Sequence, residues 1–415
     1  MTEPDQVDCC VVGGGPAGAV VALLLARAGV QVCLLEKHAD FLRDFRGDTI
    51  HASTLALMTE LGLESQFLAL PHSTVTTLTA LTDDGTYTLA DFSRLPGRSG
   101  SLMFMPQWHF LDFVTGQAAR YPTFELRRNA DVVDVERSDG RVRGVVYETP
   151  DGTRHTLRSA LTIAADGRHS AVRAALGLRS HRFGAPMDVL WFRVSRRESD
   201  PSLFARLSTG RMLVLIDRGE YWQLAYLIRK DGYDRVRAQG LDAFRESVGT
   251  LAPHLRDRLA EVRSWDDIAM LSVQVDRLRR WFRPGVLLIG DAAHAMSPIG
   301  GVGINLAVQD AIAAANRVAG PLVTGDVTQR DLARVQLRRT PPTVLTQLLQ
   351  RVLQRRVLAV VLTGPGPMKA PGFLRFIDRR PRLQGVVARL VGFGVLPEHV
   401  RTPALSPEPS PARAG

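Results

Sequence analysis

The segment Gly13-Gly14-Gly15-Pro16-Ala17-Gly18, directly after the apolar run Cys9 to Val12, restricts this chain more than any other stretch. A GxGxxG turn needs glycine where a strand turns sharply (Gly13), where backbone approaches a pyrophosphate (Gly15), and where helix packs on strand (Gly18). Pro16 suits a first helical turn, and the predicted helix runs to Ala28 with Gly29 as its stop. Its free N–H groups and positive dipole end would face the phosphates. Val30 to Leu35 reads as a second buried strand ending at Glu36, 18 residues beyond Gly18. That is near the roughly 20-residue offset of a ribose-binding acid. A carboxylate there accepts from ribose hydroxyls and repels a 2′-phosphate, pointing to FAD or NAD rather than NADP. An ordinary βα turn would share the glycines but not the proline, second strand and acid together.

Two more glycine turns follow apolar runs: Asp166-Gly167-Arg168-His169-Ser170, and Gly290-Asp291-Ala292-Ala293-His294. Past the latter stand Pro298, Gly300, Gly301, Gly303 and Asn305. Val286 to Ile289 has the unbroken apolar pattern of a buried parallel strand. Asp291 at its end can accept from a ribityl or ribose hydroxyl, and the glycines let backbone approach a planar ring. A helix beginning there stabilises the negative charge of a reduced flavin. In Asp166 to Arg173 the polar side chains are expected mainly to tie down their own loop.

With 415 residues the chain can build two or three lobes. No apolar run reaches the roughly 18 residues of a spanning helix, and no leader-like segment precedes the first strand. Cys9, Cys10 and Cys33 read as buried core residues of a reducing, cytoplasmic compartment. Neither a CxxC pair nor a metal-ligand cluster occurs in the sequence, so no metal is expected. The net charge of +10 is local, since Arg330 to Arg389 holds thirteen Lys or Arg against two acids. The remainder is near neutral, so nucleic acid is not an expected partner.

The expected fold class is α/β: a Rossmann-like FAD-binding domain, an inserted antiparallel β-sheet substrate domain, and a helical C-terminal region. Residues 1–72, 106–183 and 279–329 are assigned to the first, with 73–105 and 184–278 forming the insertions. A basic helical region follows over 330–401 and a disordered tail over 402–415. Phe124 to Val135 is expected as one strand, and Pro341-Pro342 to open a helix. That helix carries Val344, Leu345, Leu348, Leu349, Val352 and Leu353 on one stripe. The stripe is expected to pack on the body, with peripheral membrane contact through 330–395 as the alternative.

Taken together, GGGPAG with Glu36, DGRHSAVR and GDAAHAMSPIGGVGIN resemble, in order, the three fingerprints of class A flavoprotein monooxygenases of the p-hydroxybenzoate hydroxylase fold. Phe45-Arg46-Gly47-Asp48-Thr49-Ile50-His51 resembles that family's segment beside the flavin, and the likeness covers about residues 5–320. The resemblance implies that NADH or NADPH reduces FAD in a transient encounter. Reduced flavin and dioxygen then form a C4a-hydroperoxide that hydroxylates or epoxidises an aromatic substrate. It further implies that Arg46 and Pro298 position the flavin, with no protein acid or base assigned. FAD contacts are assigned to Gly13, Gly15, Pro16, Ala17, Gly18, Glu36, Lys37, Arg46, Gln107, Val132, Asp166, Asp291, Pro298, Gly301, Gly303, Ile304 and Asn305. His51 and His294 are read as structural. Trp191, Met212, Trp222 and Tyr226 are candidates to line the substrate pocket, of which strand alternation lets about half face it. Their apolar character suggests a hydrophobic phenol, quinone or polyketide-type molecule. A reductase, a halogenase (no WxWxIP motif is present) and a non-catalytic flavin-binding protein are the alternatives.

Overall fold

The computed structural model describes residues 5–42, 49–95, 100–201, 204–355, 361 and 367–405. Two sheets organise them. The first has eight strands, with a parallel centre formed by Val32–Glu36, Asp5–Val12, Arg154–Ala164 and Val286–Leu288 side by side. Register is the important detail. Val12 pairs with Leu35 on one side and Ala164 on the other, and Ala164 pairs with Leu288. Four strands therefore finish in one row, and the three glycine turns leave the sheet along a single edge. The strand ends are apolar and buried, as strands covered on both faces must be. The first helix, Pro16–Arg27, packs against the helix Val302–Val323, here called the glycine-loop helix.

The second sheet has seven strands in the order Ala269–Leu271, Met187–Ser195, Tyr221–Arg229, Arg211–Asp217, Ala205–Ser208, Thr77–Thr82 and Gly85–Asp91. The hairpin turning at Asp83-Asp84 joins it through a parallel pairing of Thr77–Thr82 with Ala205–Ser208. Strand alternation gives the sheet two apolar faces. Leu190, Phe192, Trp222, Leu224 and Tyr226 pack beneath the helix Leu241–Leu251. On the opposite face, Met187, Val189, Ala225 and Leu227 meet Trp191, Met212, Val214 and Ile299.

Several expectations change. Phe124 to Val135 is two strands: Phe124–Arg128 extends the parallel sheet, whereas Asp131–Ser138 pairs with Arg141–Glu148. The break falls at Asn129, whose φ of 56° suits an asparagine and ends the first strand. Residues 402–405, expected to begin a disordered tail, lie against the first helix. Arg27 donates to the Thr402 carbonyl at 3.3 Å, and the Leu405 N–H donates to the Arg27 carbonyl at 2.8 Å. Residues 406–415 lie outside the described ones.

The prolines at 341 and 342 do not open a helix but sit inside one, Gln329–Leu353, which begins at a capping box of Thr328 and Asp331. This strap helix is packed the other way round from expectation. Arg339, Thr343, Gln347, Gln350 and Gln354 are buried, while Leu345, Leu348, Leu349 and Val352 are 47%, 51%, 54% and 43% exposed. The buried glutamines bond to backbone at Ala295 and Ser297, just past the third turn, which is the physical reason for the inversion.

Candidate active site

The first turn divides its glycines as the spacing requires. Gly13 has a φ of +96°, and a Cβ there would lie 2.7 Å from the Ala165 carbonyl oxygen. A Cβ on Gly18 would run into the Gly13 carbonyl, whereas one on Gly15 would meet none of the described residues within 4 Å. Gly13 thus makes the turn, Gly18 seats the helix and Gly15 leaves room for a ligand. Pro16 opens the helix and Ala17 is buried behind it. Among the described residues no side chain caps this N-terminus, and no acid stands in its first turn. Glu36 ends the second strand almost buried, accepting from the Gly14 N–H at 2.9 Å and the His38 N–H at 3.1 Å. Lys37 beside it is exposed. The Ala130 N–H donates to the Glu36 carbonyl at 3.0 Å, which brings the strand holding buried Val132 alongside. Gln107 is the half-buried first residue of the helix Gln107–Ala118, which packs on the first helix.

The second turn reaches further than its own loop. Ser170 caps the helix Ala171–Ala175 by accepting from the Arg173 N–H at 2.9 Å, and Asp166 accepts from the Val172 N–H at 3.2 Å. The other Asp166 oxygen is buried with no partner among the described residues, and burial raises this carboxyl above its ordinary value despite the bonds it accepts. Arg168 pairs with Asp291 at 3.4 Å, and Arg173 donates to the Ala292 carbonyl at 3.3 Å. Two arginines of the second turn thereby clamp the third.

At the third turn, Pro298 precedes a tight bend in which Gly300 and Gly301 take φ of 79° and 63°. Gly301 is left-handed and lies against Thr49, so a side chain there is doubly opposed. A Cβ on Gly303 would meet none of the described residues within 4 Å. The glycine-loop helix also starts with no side-chain cap among them and no acid in its first turn. Ile304 and Asn305 are buried in that first turn, and the Ser53 hydroxyl donates to the Asn305 side chain. His51 is fully buried and bonds the Gly301 carbonyl at 2.9 Å. Burial pushes its pKa below the ordinary value, against the pull of that carbonyl.

His51 thus ties down the backbone of the third turn, and His294 is held in the core, its Nε2 2.6 Å from buried Asp310. On the far side of Asp310 is Arg339, 2.9 Å away and itself only 1% exposed. Burial alone would raise the Asp310 carboxyl, but His294 and Arg339 outweigh it and hold it below the usual carboxylate range. The Gly290 N–H also donates to Asp310, at 3.1 Å, which fixes the start of the third turn.

The strap helix supplies the rest of the support. The Gln350 amide donates to the Ser297 and Ile299 carbonyls, both at 2.9 Å, and its oxygen accepts from the Ser297 N–H at 3.2 Å. Gln347 donates to the Asp276 and Ala295 carbonyls, and Gln354 to the Ser297 hydroxyl. The sequence singled out none of these residues, nor Asp310 and Arg339. The available signal was the helical spacing of Gln347, Gln350 and Gln354.

Of the pocket candidates, Trp191 and Met212 lie on the sheet face that meets Ile299. Trp222 and Tyr226 belong to the opposite, helix-covered core, which corrects their assignment. Trp222 is held there by its indole N–H, 2.7 Å from Asp200, which also pairs with buried Arg258 at 2.6 Å. The Tyr226 hydroxyl is 2.8 Å from Ser247. Arg46 lies outside the described residues.

Comparison with known proteins decides the family. The FAD binding domain family matches residues 6–342. The chain belongs to the class A flavoprotein monooxygenases. The 6-methylpretetramide 4-monooxygenase of Streptomyces rimosus is 32% identical over 397 residues, covering 93% of this chain and 92% of that protein. Among solved structures, p-nitrophenol 4-monooxygenase PnpA from Pseudomonas putida DLL-E4 is similar with a TM-score of 0.75 at 20% identity, covering 92% of this chain and 97% of its own. The myxobacterial chondrochloren halogenase CndH shares the fold at 18% identity and a TM-score of 0.71, covering 95% of this chain and 99% of its own. The fold alone therefore does not choose the reaction. The chain is an FAD-dependent oxidoreductase of the monooxygenase type, with NAD(P)H the family's usual reductant.

Proposed function

We propose that the three turns hold one FAD, and that the enzyme hydroxylates or epoxidises a hydrophobic aromatic small molecule of the phenol, quinone or polyketide type. The observation that carries this reading is the common row of Leu35, Val12, Ala164 and Leu288, which delivers all three turns to one sheet edge. Bound there, FAD would supply redox and oxygen chemistry; the chain binds it, orients it and excludes water. Gly13, Gly15, Pro16, Ala17 and Gly18 would turn N–H groups toward the pyrophosphate. Glu36, Lys37, Gln107 and Val132 would surround the adenosine end, with Asp166 and Asp291 accepting from hydroxyls nearer the centre. Pro298, Gly301, Gly303, Ile304 and Asn305 would bound the ring, whose negative charge the uncapped helix end stabilises. Arg46 keeps its proposed positioning role. The room at Gly15 and Gly303 and the orphaned Asp166 oxygen support this fit.

Residues 1–72, 106–183 and 279–329 form the proposed FAD-binding domain, and 73–105 with 184–278 the substrate cover. Trp191 and Met212, beside Ile299, would form the substrate wall. The indole N–H of Trp191 is buried with no partner among the described residues, which suits it to a substrate oxygen. The reading places the enzyme in the cytoplasm, where its three buried thiols stay reduced.

The test is direct. Denatured protein should release FAD, and polycyclic phenols should stimulate NADH or NADPH oxidation with labelled dioxygen entering the product. Protein that cannot be reconstituted with FAD would overturn the cofactor site. Stimulated oxidation without label in the product would make the enzyme a reductase.

A further inference from the structure

Exposed large hydrophobic side chains are concentrated rather than scattered. Ten of the sixteen among the described residues lie between Leu337 and Leu396, and five of these form one face of the strap helix: Val344, Leu345, Leu348, Leu349 and Val352. A monomer rarely leaves such a face to water without a partner for it. The same side of the helix begins with exposed Arg330 and Arg334 and ends with exposed Arg355. No acid occurs between Leu332 and Arg355. Asp331, the one acid inside the helix, pairs with Arg317, and Glu398 pairs with Arg338 and Arg339.

This layout distinguishes between occupants. A second copy could cover the apolar half with its own leucines, but with no acid between Leu332 and Arg355 it would leave the basic half without a counter-charge. An anionic lipid surface meets both halves, with leucines at the acyl boundary and arginines among the headgroups. We propose that the outer face of the strap helix docks the enzyme on anionic membranes. Among the described residues no helix is long and apolar enough to cross a membrane, and the proposed contact is with the surface alone. It is independent of which molecule the enzyme oxidises.

The buried glutamines make the arrangement possible, because they anchor the helix to the body without using its leucines. The experiment is co-sedimentation of the full chain with vesicles of phosphatidylcholine alone or with about a quarter phosphatidylglycerol. The protein should pellet with the anionic vesicles at low salt and not with the neutral ones. Leu348→Glu with Leu349→Glu should abolish pelleting, and Arg330→Glu with Arg334→Glu should weaken it at least about tenfold. Circular dichroism and flavin absorbance should stay unchanged in both, since all four side chains are exposed. Wild-type protein left in the supernatant at low salt would overturn the proposal. So would light scattering that shows a dimer dissociated by the leucine substitutions, with no vesicle binding by either protein.

Discussion

The glycine-loop helix and the strap helix pack side by side, yet they are built by opposite rules. The first is apolar and buried nearly all round from Ile304 to Ala315. The second buries Leu332 and Val335 near its start, but from Thr343 onward it buries its polar side and shows its leucines to solvent. Area removed from water fixes the first helix, whereas hydrogen bonds to irregular backbone fix the C-terminal half of the second. A loop that must approach a ligand cannot be held by a strand ladder, so its carbonyls take side-chain donors from a neighbouring helix.

Four substitutions probe this contrast. The largest effect is expected at Asp310, where the two helices are joined. Asp310→Ala leaves His294 buried without its partner and Arg339 with only its longer contact to Glu398, and should cost about 3–5 kcal/mol, read from the urea midpoint. Gln350→Ala strips partners from Ser297 and Ile299 and should cost about 1–3 kcal/mol. It should also weaken FAD retention, which a loss of helix stability alone would not do at low denaturant.

The third probe uses pH. The pKa of His51 is lowered in the folded chain, so the unfolded chain takes up the proton first. The stability tied to neutral His51 is therefore whole above pH 6.5 and is lost as pH falls below that value. His51→Asn should flatten the dependence of the urea midpoint below about pH 6.5. An unchanged slope would assign it to other groups. The smallest effect belongs to Leu348→Glu on the exposed face, expected within about 0.5 kcal/mol of wild type. A large loss there would mean that the leucine face is covered in solution, and the contrast between the helices would fail.

How much is legible in the sequence depends on the range of the forces involved. The Gly13 to Gly18 turn and the helix from Pro16 can be read because turn conformation and capping are local. The hairpin at Asp83-Asp84 is visible for the same reason. Periodicity shows that the strap helix has two faces but not which one is buried. That choice rests on carbonyls of Ser297 and Asp276, far away in sequence. Trp222 cannot be oriented from its strand pattern either, since its direction is set by Asp200 and Arg258. The reach of Arg168 and Arg173 into the third turn is hidden similarly.

The shared row of strand ends also has a consequence for synthesis. Asp5–Val12 leaves the ribosome well before its neighbour Arg154–Ala164, and Val286–Leu288 follows later still. At about 5–20 residues per second, the last central strand follows the first by roughly 15–60 s. Until then one edge or another of the growing central sheet lacks its permanent neighbour. The nascent chain is thus exposed to aggregation through that interval, and slow stretches of message ahead of the third turn would lengthen it.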